Sequence, residues 1–116
     1  TLSAACGLDI PAHCEGASLM PLLHHPQRPG KRAAFSQYPR GGNPALMGCA
    51  LRDDRFRYVE WRPRDGSPCT AFELYDHQVD PQENRNVVDD PAYAQARAAC
   101  AALMQAGWRD AKGALA

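Results

Sequence analysis

Apolar and polar residues alternate in short runs through the middle of this chain and recur at helical spacing near its end. Lys31 to Tyr38, Ala45 to Arg52, Arg55 to Arg62 and Phe72 to Asp76 each read as a strand, the third being rich in aromatic and β-branched residues. Only Asp53 and Asp54 separate the second run from the third, which predicts a tight hairpin there. Further on, Asp89 or Asp90 can accept from the free N–H groups of a helix start, and Pro91 suits the first helical position. Tyr93, Ala96, Cys100, Leu103 and Met104 then share one helical face. Gly107 ends that helix, and Trp108 is expected to pack back on Leu103 in a Schellman-type ending. A four-stranded antiparallel sheet with the helix across one face would bury the stripe, which is an α+β fold.

The first thirty residues follow no such pattern. Thr1 to Cys6 reads as the last turn and a half of a helix with Gly7 as its left-handed cap, too short to be stable alone, as at the truncated edge of a larger domain. From about Leu8 to Gly30, Pro11, Pro21, Pro26 and Pro29 each remove a backbone donor, so this is a connector with one helical turn near Ser18 to Leu23.

Composition narrows the classes. At 116 residues the chain can build one modest core. No window approaches the roughly 18 apolar residues of a membrane span, and no basic-then-apolar signal peptide opens the chain. Five cysteines without C-x-x-C pairing imply no disulfide framework, although one bridge is open to them. The sequence assigns no compartment. The net charge of zero hides an asymmetry: nine basic residues face three acidic ones between Arg28 and Arg64, whereas eight acidic face four basic from Asp65 onward. This is either an anion-facing surface or two halves that complement each other when folded, and the second is the usual fate of such charges. A neutral domain without a nucleic-acid motif lacks the phosphate-driven affinity of nucleic-acid binders.

The densest information lies in Glu73-Leu74-Tyr75-Asp76-His77-Gln78-Val79-Asp80-Pro81-Gln82-Glu83-Asn84-Arg85-Asn86. An apolar strand end meets a turn at Asp80-Pro81, and Glu83, Asn84 and Asn86 are expected to cap backbone groups left unpaired there. The order resembles the E-L-Y-D-x-x-x-D-P-x-E-x-x-N segment near the C-terminus of type I sulfatases. Gly16 to Leu23, Phe35 to Arg40, Met47 to Arg52 and Arg55 to Trp61 extend the likeness, in order and spacing, to the iduronate-2-sulfatase-like branch. Cys49 stands where an aromatic residue commonly follows Met-Gly, and the loop from Gly41 to Ala45 is short for the branch.

The resemblance implies the small C-terminal subdomain of an alkaline-phosphatase-like enzyme, with residues 1–30 as a helix end and connector from an upstream catalytic domain and 31–116 as the subdomain. For the parent enzyme it implies hydrolysis of a sulfate ester by a formylglycine beside calcium, with this subdomain shaping the pocket for a sulfated sugar. None of the cysteines sits in the C/S-x-P-S-R motif from which formylglycine is made, so the nucleophile is not in this chain, which is expected to be inactive alone. A stand-alone module binding an anionic sugar or a protein partner is the other class the sequence allows. Apolar side chains left open on the sheet or at Leu2, Leu8 and Ile10 would favour a missing catalytic domain, and a closed polar surface the module.

Candidate substrate-binding residues cluster where a strand ends before Gly41-Gly42. Arg40 there could reach a carboxylate or sulfate by a bidentate contact, with either Tyr38 or Gln37 on its face of the strand. His77 is a further candidate, set against the more common role of a structural hydrogen-bonding histidine. His13, Cys14, His24 and His25 lack zinc-type spacing. Asp76, Asp80, Glu83, Asn84 and Asn86 lack the D-x-[DN]-x-[DN]-G calcium loop.

Overall fold

A computed structural model describes residues 1–42 and 45–115. The four strands form β1 (Ala34–Arg40), β2 (Leu46–Arg52), β3 (Phe56–Pro63) and β4 (Ala71–Asp76), paired antiparallel in the order β1-β2-β3-β4. Two short helices, α1 (Leu2–Ala5) and α2 (Met20–His24), lie in the connector, and α3 (Ala94–Ala106) follows the sheet. Asn43 and Pro44, in the short loop between β1 and β2, lie outside the described residues.

The register places Phe35, Leu51, Tyr58 and Leu74 in one cross-strand row, with Gln37, Cys49, Glu60 and Phe72 in another on the same face. The α3 stripe covers that face: Cys100 and Met104 are buried with Leu51, Tyr58 and Leu74, while Tyr93, Ala96 and Leu103 pack at the margin. All five stripe residues therefore face the core as their spacing predicts. Tyr58 stacks on Phe72 with ring centroids 6.4 Å apart, and burial, reinforced by nearby Glu60, pushes its phenol up to about 12.

Several boundaries differ from expectation. β1 begins at Ala34 rather than Lys31 and runs through Pro39 to Arg40. Proline is tolerated because β1 is an edge strand, hydrogen-bonded on one side only. The β2–β3 turn holds three residues rather than two. Asp53 Oδ1 accepts from the N–H groups of Arg55 (2.8 Å) and Phe56 (2.6 Å), which delays the strand to Phe56. Asp90 is the cap, its carboxylate accepting from the Ala92 N–H at 3.0 Å, but Pro91–Tyr93 forms a 3-10 turn and α3 starts at Ala94. At the other end Gly107 has the positive φ that glycine tolerates (86°), but its ψ of 173° is not that of an αL cap. The Trp108 ring lies against Arg109 and Lys112.

A Schellman motif closes α1 instead. With Gly7 at φ 68°, the Leu8 N–H donates to Ser3 O at 2.9 Å and the Gly7 N–H to Ala4 O at 3.2 Å. The connector runs beside the sheet, so the radius of gyration is 16.9 Å, against about 13 Å for a compact chain of this length.

Candidate functional site

The E-L-Y-D segment is first of all a structural device. Asp76, 1% exposed, accepts from Arg55 Nε at 3.0 Å and Nη2 at 2.6 Å. The bidentate Arg55 contact, helped by the Gln78 N–H, holds its carboxyl below the usual carboxylate range, and raises Arg55 in turn. Asn86 Oδ1 accepts from the Leu74 and Val88 N–H groups at 2.9 and 3.1 Å, while its Nδ2 donates to Phe72 O at 3.1 Å. Asn86 thus pairs the Leu74 N–H and the Phe72 carbonyl at the outer edge of β4, while the Val87 N–H donates to the Leu74 carbonyl at 2.9 Å. Among the described residues, Glu83 and Asn84 cap no backbone group. Asn84 Nδ2 donates to Asp80 Oδ1 at 3.0 Å, and Glu83, held at φ 57°, turns to two other side chains.

Those two are His77 and Arg57. His77 Nε2 meets Glu83 Oε1 at 2.6 Å, and Arg57 Nη2 pairs with Glu83 Oε2. From there a line of contacts crosses the sheet face not covered by α3. The Arg57 guanidinium lies 5.4 Å from the Tyr75 ring centroid. Tyr75 Oη donates to Glu73 Oε2 at 3.1 Å, and Trp61 Nε1 donates to Glu73 Oε1 at 2.7 Å. Arg40 then lies over Trp61, its guanidinium carbon 4.9 Å from the ring centroid. Trp61 itself rests on Gly48, where no side chain intervenes.

The candidate residues therefore separate. Tyr38 and Arg40 share the open face at one corner, with Tyr38 70% exposed and no carboxylate paired with Arg40 among the described residues. Gln37 points to the helix side, its Nε2 donating weakly to Cys49 Sγ at 3.9 Å. His77 follows the far end of β4, at the opposite edge and end of the sheet. Sequence reasoning did not find Trp61 as the platform for Arg40. Its signal was Trp61 standing at the same strand phase as Tyr38 once the register is known.

On the helix side, a cleft of about 690 Å³ opens between β1, the connector and the end of α3, walled partly by Gln37, Met104 and Trp108. Lys31, Arg62 and Lys112 also line it.

Among the described residues no three His, Cys, Asp or Glu side chains converge as a metal site. Cys49 and Cys100 are buried and Cys69 Sγ donates to Trp61 O. These positions do not fit the calcium and formylglycine of a sulfatase centre.

A four-stranded antiparallel sheet with one covering helix is the fold this chain shares with sulfatases of the alkaline-phosphatase-like superfamily. The chain belongs to the family described as N-sulphoglucosamine sulphohydrolase, C-terminal, whose model matches residues 1–108. A curated relative, the Δ4,5-hexuronate-2-O-sulfatase of Bacteroides thetaiotaomicron, is 29% identical over 109 residues, which is 90% of this chain and 21% of the relative. A crystallised protein assigned as a sulfatase, from the same organism, superposes with a TM-score of 0.73 at 29% identity over 91% of this chain and 22% of its own. The phosphonate monoester hydrolase of Agrobacterium radiobacter gives 0.68 at 29% identity over 91% and 23%. A structure solved with its substrate D-glucosamine-2-N,6-O-disulfate shares the fold, with a TM-score of 0.75 at 22% identity over 98% and 23%. The chain thus spans about a fifth of the length of the relatives it matches.

Proposed function

We propose that this chain is the part of a sulfate-ester hydrolase that packs on the catalytic domain and shapes one wall of the substrate pocket, and that it is inactive alone. In that parent, calcium and formylglycine belong to the upstream domain, and residues 1–30 lead out of it. The observation that carries the reading is the Arg40 corner. The exposed Arg40 guanidinium lies over the Trp61 ring beside exposed Tyr38, where its fork of N–H donors can reach a sulfate or carboxylate. His77, already engaged by Glu83, acts as a brace on the far corner rather than as a substrate contact.

The connector supports the docking half of the reading. Leu2, Leu8, Ile10 and Leu23 are between 50% and 82% exposed, apolar side chains that an upstream catalytic domain would cover. It also weighs against the stand-alone module.

The test is turnover of an aryl sulfate and of a sulfated uronate by this chain alone and by the chain joined to its upstream reading frame. Activity confined to the joined protein is expected. Activity in neither, with a stable monomeric fold for the short chain, would sink the reading in favour of the binding module.

A further inference from the structure

The cleft behind β1 is separate from the Arg40 corner, because Gln37 at its wall points to the opposite face of the strand from Tyr38 and Arg40. Two of its three lining cations, Lys31 and Lys112, are not paired with a carboxylate among the described residues, unlike several cations elsewhere on the sheet. Arg55 and Arg57 pair with Asp76 and Glu83 from the acidic end. In the cleft, by contrast, Lys31 has no carboxylate partner among the described residues, and Lys112 Nζ donates to a backbone carbonyl, that of Glu15. Arg62 donates Nε (2.9 Å) and Nη2 (2.6 Å) to a single oxygen of Glu60. Its Nη1 has no partner among the described residues. The one carboxylate in the lining, Glu15, is turned to Arg109. Trp108 gathers cations at the mouth, with the Arg109 guanidinium carbon 4.4 Å and Lys112 Nζ 5.0 Å from its ring centroid.

From this arrangement we infer that the cleft binds an anionic saccharide, holding a stretch of a sulfated glycan away from the reacting ester. The inference deepens the sulfatase reading and rests on it for the choice of glycan. Anionic groups on the sugar would pair with Lys31, Lys112 and Arg62. The apolar wall of Met104 and Trp108 suits the C–H face of a pyranose, and the Gln37 amide suits a hydroxyl. An acidic peptide would use the same cations but gain little from that apolar wall.

The experiment is calorimetric titration of the chain with a fully sulfated hexasaccharide, its desulfated counterpart and poly-glutamate, with binding mapped by amide chemical shifts. Saturable binding of the sulfated sugar alone is expected. Shifts should centre on Gln37 and Trp108, and a Lys31→Ala/Lys112→Ala double variant should weaken binding by about tenfold or more. Arg64→Ala, an exposed charge outside the cleft, should leave affinity within about twofold. The inference is overturned by no saturable binding, by equal binding of poly-glutamate, or by equal losses in Arg64→Ala. A Lys31→Gln/Lys112→Gln pair, which keeps the stems, checks that any loss follows charge rather than folding. The two readings fail separately: a joined protein inert on every sulfate ester would remove the sulfatase assignment while leaving this binding as measured.

Discussion

Trp61 lies so close on Gly48 that a β-carbon built there would stand 2.9 Å from Cζ3 of the indole. Gly48 and Trp61 are directly paired across β2 and β3. The glycine is thus required by a close approach and not by its backbone angles. Glu73 fixes the indole nitrogen and Arg40 rides on the ring, so this pair sets the candidate corner.

Gly48→Ala should therefore cost about 1–3 kcal/mol by overpacking. Denaturant unfolding measures the cost, and a shift in tryptophan emission reports the displaced ring. An unchanged midpoint and spectrum would show that the indole has somewhere else to go.

The fold was legible because its signals are local. Strand alternation, the Pro91 entry and the stripe from Tyr93 to Met104 each mark burial within one element. The candidate corner was half legible: alternation alone showed that Tyr38 and Gln37 cannot both face Arg40. Which of them does, and that His77 lies at the opposite corner, depends on strand order and register across four strands. The cleft was illegible, because Lys31, Gln37, Arg62 and Lys112 come from segments whose meeting only tertiary packing decides.

Asn86 supplies side-chain partners for two backbone groups at the outer edge of β4. Asn86→Ala leaves the Leu74 N–H and Phe72 carbonyl without their partners, and Leu74 is fully buried. A loss of about 1–3 kcal/mol is expected in chemical unfolding. Hydrogen exchange should rise most at Leu74, and uniform exchange across β4 would contradict the local role.

Acid should unfold the protein through Asp76 and Asp80. Both carboxyls titrate low, Asp76 through Arg55 and Asp80 through the N–H groups of Arg85 and Asn84. A depressed folded value contributes stability in full above the ordinary value of 3.8, and that contribution is lost as pH falls through the lower folded one. Melting temperature should stay level from neutrality to about pH 5 and drop below about pH 4. Asp76→Asn should melt lower at neutral pH and lose part of the acid dependence; an unaltered acid limb would assign it to other carboxyls.

Thiol reactivity should sort by burial. Burial pushes the Cys100 thiol up to about 11, and Cys49 is also buried, whereas Cys6 and Cys14 are exposed. With an aromatic disulfide reagent near pH 8, Cys6 and Cys14 should react at once, and Cys49 and Cys100 only after denaturation. Half-buried Cys69 should react at an intermediate rate, and a fast phase that survives Cys6→Ser/Cys14→Ser/Cys69→Ser would mean that the core opens readily.

The apolar connector separates folding from docking. Leu2, Leu8 and Leu23 contribute little to the sheet-and-helix core, since none is buried with it. Replacing all three by serine should move the unfolding midpoint of the chain by no more than about 0.5 kcal/mol. If the same side chains are buried against an upstream catalytic domain, each contributes about 1.5–3 kcal/mol there. The triple variant should then lower the melting temperature of the joined protein while leaving that of the short chain in place. Equal losses in both would assign these leucines to the fold of this chain, and no loss in either would leave the connector without a docking role.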